Sequence, residues 1–331
     1  MANVIEVAGE KDASRGMSRR AVLTAAALTC AGCASSRPAS GSKVEKPNLT
    51  VATVKAVTNV GLYLAQQHGF FADEGLHVKI APVVSSTSAI ASQLSGGVDV
   101  TAGAYVSYIL AQARSSGAIK WRILAAGSVS QTHSQEVLVA SGSPIRKVTD
   151  LRGKTVAANI LGNVGTLLID SMLSAYGLSP SSVKQVAIPF PAMAPALKSG
   201  EIDAGWFDEP FLSQAHSSIG AETLYDTSNG PTSSLPISGY MATRTWAERY
   251  PHTAAAFVRA IGRGQALADT SRAAGESAIT SFLKVNRSLA SVMTFDSYPT
   301  KLDPVPIQRV ADVMHQFGLL KQPFNVKTMI A

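Results

Sequence analysis

Ser95-Gly96-Gly97-Val98-Asp99 and Ser199-Gly200-Glu201-Ile202-Asp203 are two copies of one short pattern. Each copy ends a helical stretch at a glycine and opens a strand with a β-branched apolar residue. Each also follows an apolar strand by nearly the same distance: 48 residues separate Val51 from Asp99, and 47 separate Val156 from Asp203. Two similar βαβ units in one chain predict two lobes, and a cleft between lobes is where small ligands bind. A receptor that closes on a solute is the first expectation.

Upstream of the first copy, Leu49 to Val54 is a short apolar strand, followed by a loop, Lys55 to Asn59, and a helix from Val60 to Gln67. Gly69 ends that helix. Phe70 to Leu76 reads as a turn onto a strand His77 to Val83, and Ser85 to Ser88 caps a helix running to Leu94. After the first copy come a strand Val98 to Ala102, a helix Ala104 to Ser115 and a strand Arg122 to Ala126. Glu136 to Ala140 then crosses to the second unit. There the strands are Thr155 to Ala158, Gln185 to Ile188, Ala204 to Phe207 and Glu222 to Tyr225, with helices to Tyr176 and over Ala192 to Lys198. Pro210 is expected in the first turn of the next helix, where its missing N–H costs nothing. Ser238 to Thr243 crosses back, and from Arg244 onward the pattern is mostly helical.

This alternation predicts an α/β protein of two lobes, each a doubly wound, mostly parallel sheet covered on both faces, with a hinge at the two crossings near Ala140 and Ser238. The expected division is lobe I at 48–138 and 238–331, and lobe II at 139–237. The cleft belongs at the carboxyl ends of the strands.

Residues 1–33 read as an export leader. Ser18-Arg19-Arg20-Ala21-Val22-Leu23 is a twin-arginine pattern, and the apolar run Ala21 to Thr29 is too short to span a bilayer. Cys33 follows Ala31-Gly32 as a lipobox cysteine does, with Cys30 in the place usually held by leucine. Lipidation of Cys33 would fix the chain to the outer face of the membrane, with 34–47 as a flexible tether; simple cleavage and release is the alternative. Both cysteines lie in this leader, so the body has no disulfide and no thiolate metal site.

The chain carries a formal charge of +7, and residues 1–32 hold four basic and three acidic residues, so removing them leaves +6. The basic residues are scattered, without a Lys/Arg-rich run, which argues against a nucleic-acid partner. Enzyme signatures are also missing: there is no Gly-x-Ser-x-Gly elbow, Walker loop or His-Glu-x-x-His. His68, His77, His133, His216, His252 and His315 show no metal-ligand spacing. No metal or cofactor is expected.

Leu64-Ala65-Gln66-Gln67-His68-Gly69-Phe70-Phe71-Ala72-Asp73-Glu74-Gly75-Leu76 resembles the signature of substrate-binding proteins for nitrate, sulfonate and taurine importers. Asp150 to Ala157 resembles the second-lobe entry of that family, and Ala196 to Ala204 with Glu209-Pro210-Phe211 resembles its middle motif. The resemblance covers roughly residues 49–260. It implies a two-lobe, type II periplasmic binding protein, monomeric, that hands a small organic anion or zwitterion to an ABC permease and its ATPase. Family members also bind bicarbonate, aromatic acids and thiamine-precursor pyrimidines. Pyrimidine synthases of thiamine biosynthesis resemble the same fold, with a cysteine-rich motif that this chain lacks. Besides capture for import, a pyrimidine-synthase-like enzyme and a membrane-anchored sensor stay open as alternatives.

Helix N-termini facing the cleft hold anions through free N–H groups and the helix dipole. The candidates in lobe I are Asn59 and Val60, and Ser86, Thr87 and Ser88; in lobe II they are Asn163, Gly165 and Thr166. All of these residue types also serve as plain helix caps or neighbours of caps. Lys55 offers a cation after the first strand, or a solvated loop. Gly103 permits close approach, Tyr105 fits either stacking on a ligand or helix packing, and Ser128 lies beside the hinge. Trp206 is a candidate wall and Asp208 a partner for an amine, as the ammonium of taurine would need, while Glu209 reads as a helix cap.

Overall fold

The computed structural model describes residues 43–330. The leader, Cys33 and tether residues 34–42 lie outside the described residues.

A strand covered on both faces buries successive residues, and β1 (Asn48–Val54) does so at its centre, with Val51, Ala52 and Thr53 fully buried. It leads into α1 (Val60–Gln67) and a single-turn helix α2 (Phe70–Asp73), which occupies part of the stretch expected to be a turn. Then come β2 (His77–Val83), α3 (Ser86–Leu94), β3 (Val100–Ala104), α4 (Tyr105–Arg114) and β4 (Trp121–Ala126). The second lobe follows as β5 (Gln135–Val139), β6 (Thr155–Ala158), α5 (Val164–Ala175), β7 (Lys184–Ala187), α6 (Phe190–Ser199), β8 (Ala204–Asp208), α7 (Phe211–Ile219) and β9 (Glu222–Asp226). Strand β10 (Ser238–Thr243) returns to the first lobe. Helices α8 (Arg244–Arg249), α9 (Pro251–Thr270), α10 (Arg272–Leu283), α11 (Arg287–Val292) and α12 (Pro304–Gln316) complete the chain.

The strands form two five-stranded sheets, ordered β2-β1-β3-β10-β4 and β7-β6-β8-β5-β9. In each, one strand runs against its neighbours, and it is the crossing strand: β10 is antiparallel to β3 and β4, and β5 to β8 and β9. The two sheets are therefore built to one plan.

The repeated aspartate explains why the pattern recurs. Asp99 receives the Thr50 amide on its carboxylate at 2.9 Å and donates its own amide to the Thr50 carbonyl at 2.9 Å. Asp203 does the same to Thr155, at 2.8 and 2.9 Å. Each copy thus clamps the first central strand of its own sheet. This clamp delays β3, which begins at Val100 rather than at Val98. Gly96 and Gly200 precede the clamps at φ of 80° and 77°, a region open to glycine at little cost.

Two further details differ from the sequence reading. Pro210 sits at the N-cap of α7, not in its first turn, after a cis Glu209–Pro210 bond. The end of the expected tether is bound to the first lobe: the Glu45 carboxylate accepts from the Thr253 amide at 2.8 Å, and Pro47 accepts from the His77 amide at 2.7 Å.

Two segments carry the chain between the lobes, and a third lies against them. Residues 127–130 and 235–238 run side by side, with Ile237 donating to the Ser128 carbonyl at 2.8 Å and Ser130 to that of Leu235 at 3.0 Å. Ser128 and Ser238 also share a side-chain hydrogen bond at 3.2 Å. The third segment is a strap, 294–298, bridged to Val129 by two backbone bonds of 3.0 Å through Ser297. The first pairing lies upstream of Ala140 because β5 belongs wholly to the second sheet.

Candidate functional site

Strands β1 and β3 in the first lobe and β6 and β8 in the second end at a small cavity of about 60 Å³ between the lobes. The first lobe contributes Asn59, Ser85, Ser86 and Gly103 to its wall. The second contributes Asn159, Asn163, Trp206 and Asp208, and Ser238 of the hinge completes it. The helices α1, α3 and α5 all begin here, so three sets of helix N–H groups surround the space.

Local sequence fixes each wall. Ser85 caps α3 through a capping box with Ser88, and Ser86 Oγ accepts the Ala104 amide at 3.1 Å, tying the helix start to the end of β3. Gly103 has to be a glycine: a Cβ there would lie 2.8 Å from the Tyr108 ring. Asn59 reaches back to the Val54 carbonyl at 3.0 Å. Asn163 caps α5 by accepting from the Thr166 amide at 3.4 Å and donates to Asn159 at 2.7 Å. Gly165 lets the Trp206 indole lie flat against α5, since a Cβ at that position would sit 2.5 Å from Trp206 Cε3. Phe190 packs against the same indole at 5.6 Å between ring centres.

Of the residues singled out in the sequence, Asn59, Ser86, Gly103, Asn163, Trp206 and Asp208 meet at this cavity. The others do not line it. Lys55 and Thr87 are exposed and Val60 is buried in the core of the first lobe. Ser88 and Thr166 are engaged in capping, Thr166 also accepting from the Gly162 amide at 3.0 Å. Gly165 acts behind Trp206. Tyr105 is buried beneath β10, its ring filling the space that a side chain at Gly239 would need. Ser128 belongs to the hinge.

Among the described residues, no lysine, arginine or histidine lines the cavity, while one carboxylate does. Asp208 is buried and accepts from the Glu209 amide at 2.8 Å. Burial, followed by the neighbouring charge of Asp296, pushes its carboxyl well above the usual carboxylate range. Trp206 Nε1 is buried without a partner.

Of the acids behind this wall, the sequence reading took Glu209 as a helix cap and did not single out Glu136 or Asp296. Glu209 does more than cap α7 by accepting from Ser213: it also takes the Thr294 amide at 3.2 Å and so pins the strap. Glu136 works against burial, yet hydrogen bonds from His216, Thr223 and His133 hold its carboxyl below the ordinary value. Asp296, on the strap itself, lies in a stretch whose only sequence signal is the polar break between two helices. Among the described residues no group of three or more His, Cys, Asp or Glu side chains is arranged to hold a metal ion. No helix among them is long and apolar enough to cross a membrane.

Comparison with known proteins places this geometry. The structure superposes on the alkanesulfonate-binding protein SsuA from Xanthomonas axonopodis pv. citri bound to MOPS, with a TM-score of 0.73 at 19% identity over 87% of this chain and 99% of that one. It superposes on the periplasmic nitrate-binding protein NrtA from Synechocystis PCC 6803 with a TM-score of 0.72 at 16% identity, over 87% and 85% of the two chains. At these identities the likeness establishes the periplasmic-binding-protein fold. In sequence, 144 residues are 28% identical to the 4-amino-5-hydroxymethyl-2-methylpyrimidine phosphate synthase of Schizosaccharomyces pombe, covering 44% of this chain and 39% of that enzyme. The match thus spans less than half the length of that curated relative. Residues 57–270 match the family described as NMT1/THI5 like, about two thirds of the chain, and the chain belongs to that family.

Proposed function

We propose that this protein is an extracytoplasmic solute receptor, held to the membrane through Cys33, that captures a small nitrogen-bearing solute between its lobes and delivers it to an ABC permease. The lobes in this reading are 48–138 with 238–331, and 139–237. The observation that carries the ligand class is Asp208. A buried acid on the cavity wall, with no basic side chain beside it among the described residues, gives a bare anion no counter-charge and offers an N–H donor or a cation an acceptor. Three helix N-termini opposite it suit an acceptor or anionic group on the same molecule. A zwitterion such as taurine satisfies both ends, and nitrate satisfies one.

A second reading is favoured by the family match. An aminopyrimidine would offer its amino group to Asp208 and its ring nitrogens to the helix N–H groups, with Trp206 and Phe190 beside the ring. The fold and the family support capture; they also accommodate a pyrimidine-processing enzyme, which turnover of the aminopyrimidine would reveal.

Thermal melting of residues 34–331 against taurine, 4-amino-5-hydroxymethyl-2-methylpyrimidine, an alkanesulfonate and nitrate tests the reading. A solute at 100 times its Kd adds about 2.7 kcal/mol, or roughly 4–5 °C for a chain of this size. The expected result is stabilisation by an amine-bearing solute and its loss in Asp208→Asn. Stabilisation by nitrate or the alkanesulfonate alone would overturn the ligand class.

A further inference from the structure

Five carboxyl groups are buried at or beside the hinge: Glu136, Asp208, Glu209, Asp226 and Asp296. Four of them have donors. Glu136 accepts from Thr223 and pairs with His133 at 2.7 Å. Glu209 accepts from the Ser213 amide at 3.1 Å, its hydroxyl at 2.6 Å and the Thr294 amide. Asp226 accepts from the amides of His133 and Ser228 at 3.0 and 2.9 Å, and Asp208 from the Glu209 amide. Asp296 is 6% exposed, and among the described residues neither of its oxygens has a donor within 3.5 Å, the hydroxyls of Ser128 and Ser134 facing it from farther off.

The residues on either side of Asp296 are tied down. Thr294 is tied to Glu209, Ser297 is bridged to Val129, and the Tyr298 hydroxyl donates to the Val57 carbonyl at 2.9 Å. The groups that face it offer no positive charge. Asp208 and Glu209 approach from the end of β8, the hydroxyls of Ser128 and Ser134 from the hinge, and Tyr298 from the strap itself. Tyr240 and Arg272 act on Tyr298, and His216 acts on Glu136 and Glu209. Among the described residues no lysine, arginine or histidine forms an ion pair with Asp208 or Asp296. Across the ladder from Asp208, Gln135 is fully buried and turns its amide toward that carboxyl.

An ionised carboxylate buried without a counter-charge is costly for a protein interior to hold, and two like charges nearby raise that cost. A neutral carboxylic acid in the same place carries no net charge and supplies an O–H donor. We propose that Asp208 and Asp296 hold one proton between them at neutral pH, so that the pair carries a single negative charge. Burial acts in the same direction, lifting the Asp296 carboxyl to about 7. The proposal rests on the reading of Asp208 as the solute's partner and deepens it: the cleft meets a cationic nitrogen with a single negative charge, and Asp296 sets that charge. When the remaining proton leaves at higher pH, the attraction for a cation increases.

The test needs no ligand. Infrared difference spectra between wild type and Asp296→Asn, recorded near pH 6, are expected to show loss of one protonated-carboxyl C=O stretch. In Asp208→Asn that band should remain and disappear at lower pH than in wild type, because the like charge beside it is gone. Urea unfolding gives an independent readout. A raised native pKa makes stability fall as pH rises from about 4 to about 7, and Asp296→Asn should shed one proton's worth of that slope. A wild-type spectrum without an acid band that Asp296 accounts for overturns the proposal, as does an unchanged slope. Since both readouts are taken on the free protein, failure here is separate from failure of the solute reading, which the melting panel decides.

Discussion

Asp99 and Asp203 perform one task in two settings. Both clamp the start of a central strand, but Asp99 also accepts from Trp246 Nε1 at 3.0 Å and pairs with Lys46. Among the described residues Asp203 has only Lys154 at 3.6 Å beyond its clamp, and its side chain is more exposed, 36% against 11%. Removing a buried acceptor leaves its donors unpaired at about 1–3 kcal/mol, so Asp99→Ala is expected to cost about 2–3 kcal/mol in urea unfolding and Asp203→Ala about 1. Equal losses would contradict this account. At Gly165 the consequence is for the site: Gly165→Ala puts a methyl group into the Trp206 indole. An overpacked contact of this kind costs about 1–3 kcal/mol, and the displaced indole should weaken solute binding more than Val164→Ala does in a binding titration. Glycines with such roles were visible in the sequence only as glycines, because the ring that Gly165 meets is 41 residues away.

Among the elements, helix ends were the most legible feature. Ser85 with Ser88 and Asn163 with Thr166 carry their caps within four residues, so local sequence determines where α3 and α5 start and thus where the cavity wall stands. Packing between distant helices was not legible. Gly61 on α1 and Gly264 on α9 touch so closely that a Cβ on Gly264 would lie 2.2 Å from the Gly61 carbonyl. The clustering of the hinge acids escaped for the same reason: Glu136, Asp208 and Asp296 come from three separate parts of the chain, and no spacing joins them. Helix α5 carries a buried acid of its own, Asp170, which accepts from Gln185 of β7 at 2.6 Å. Burial lifts its carboxyl to about 6. An acid raised in the native state favours folding below its unfolded value, and that advantage is lost as pH rises through about 6. Asp170→Asn is therefore expected to flatten the stability profile between about pH 4 and 6, and a profile unchanged in chemical denaturation would show the acid to be solvated.

For the molecule as a whole, the doubled plan follows from the repeat and the alternation of strands and helices, whereas no residue pattern marked the crossing strand of each sheet as antiparallel. The hinge was harder to place. Its pairing at 127–130 and 235–238 lies in polar and Gly-rich segments that carry no periodic signal, and its third member comes from the C-terminal region. The cavity between the lobes measures about 60 Å³, room for about four waters, and typical solute pockets are about 300–1,000 Å³. A molecule the size of taurine therefore has to enter while the lobes are apart. This turns a volume into a clock. If solute enters only the open form, the observed capture rate followed by Trp206 fluorescence will level off at high solute concentration, at the first-order rate of lobe opening. A rate that climbs linearly without a plateau in stopped flow would mean that the open form dominates in solution. In that case the supply of solute, and not the motion of the hinge, would limit how fast a permease downstream is fed.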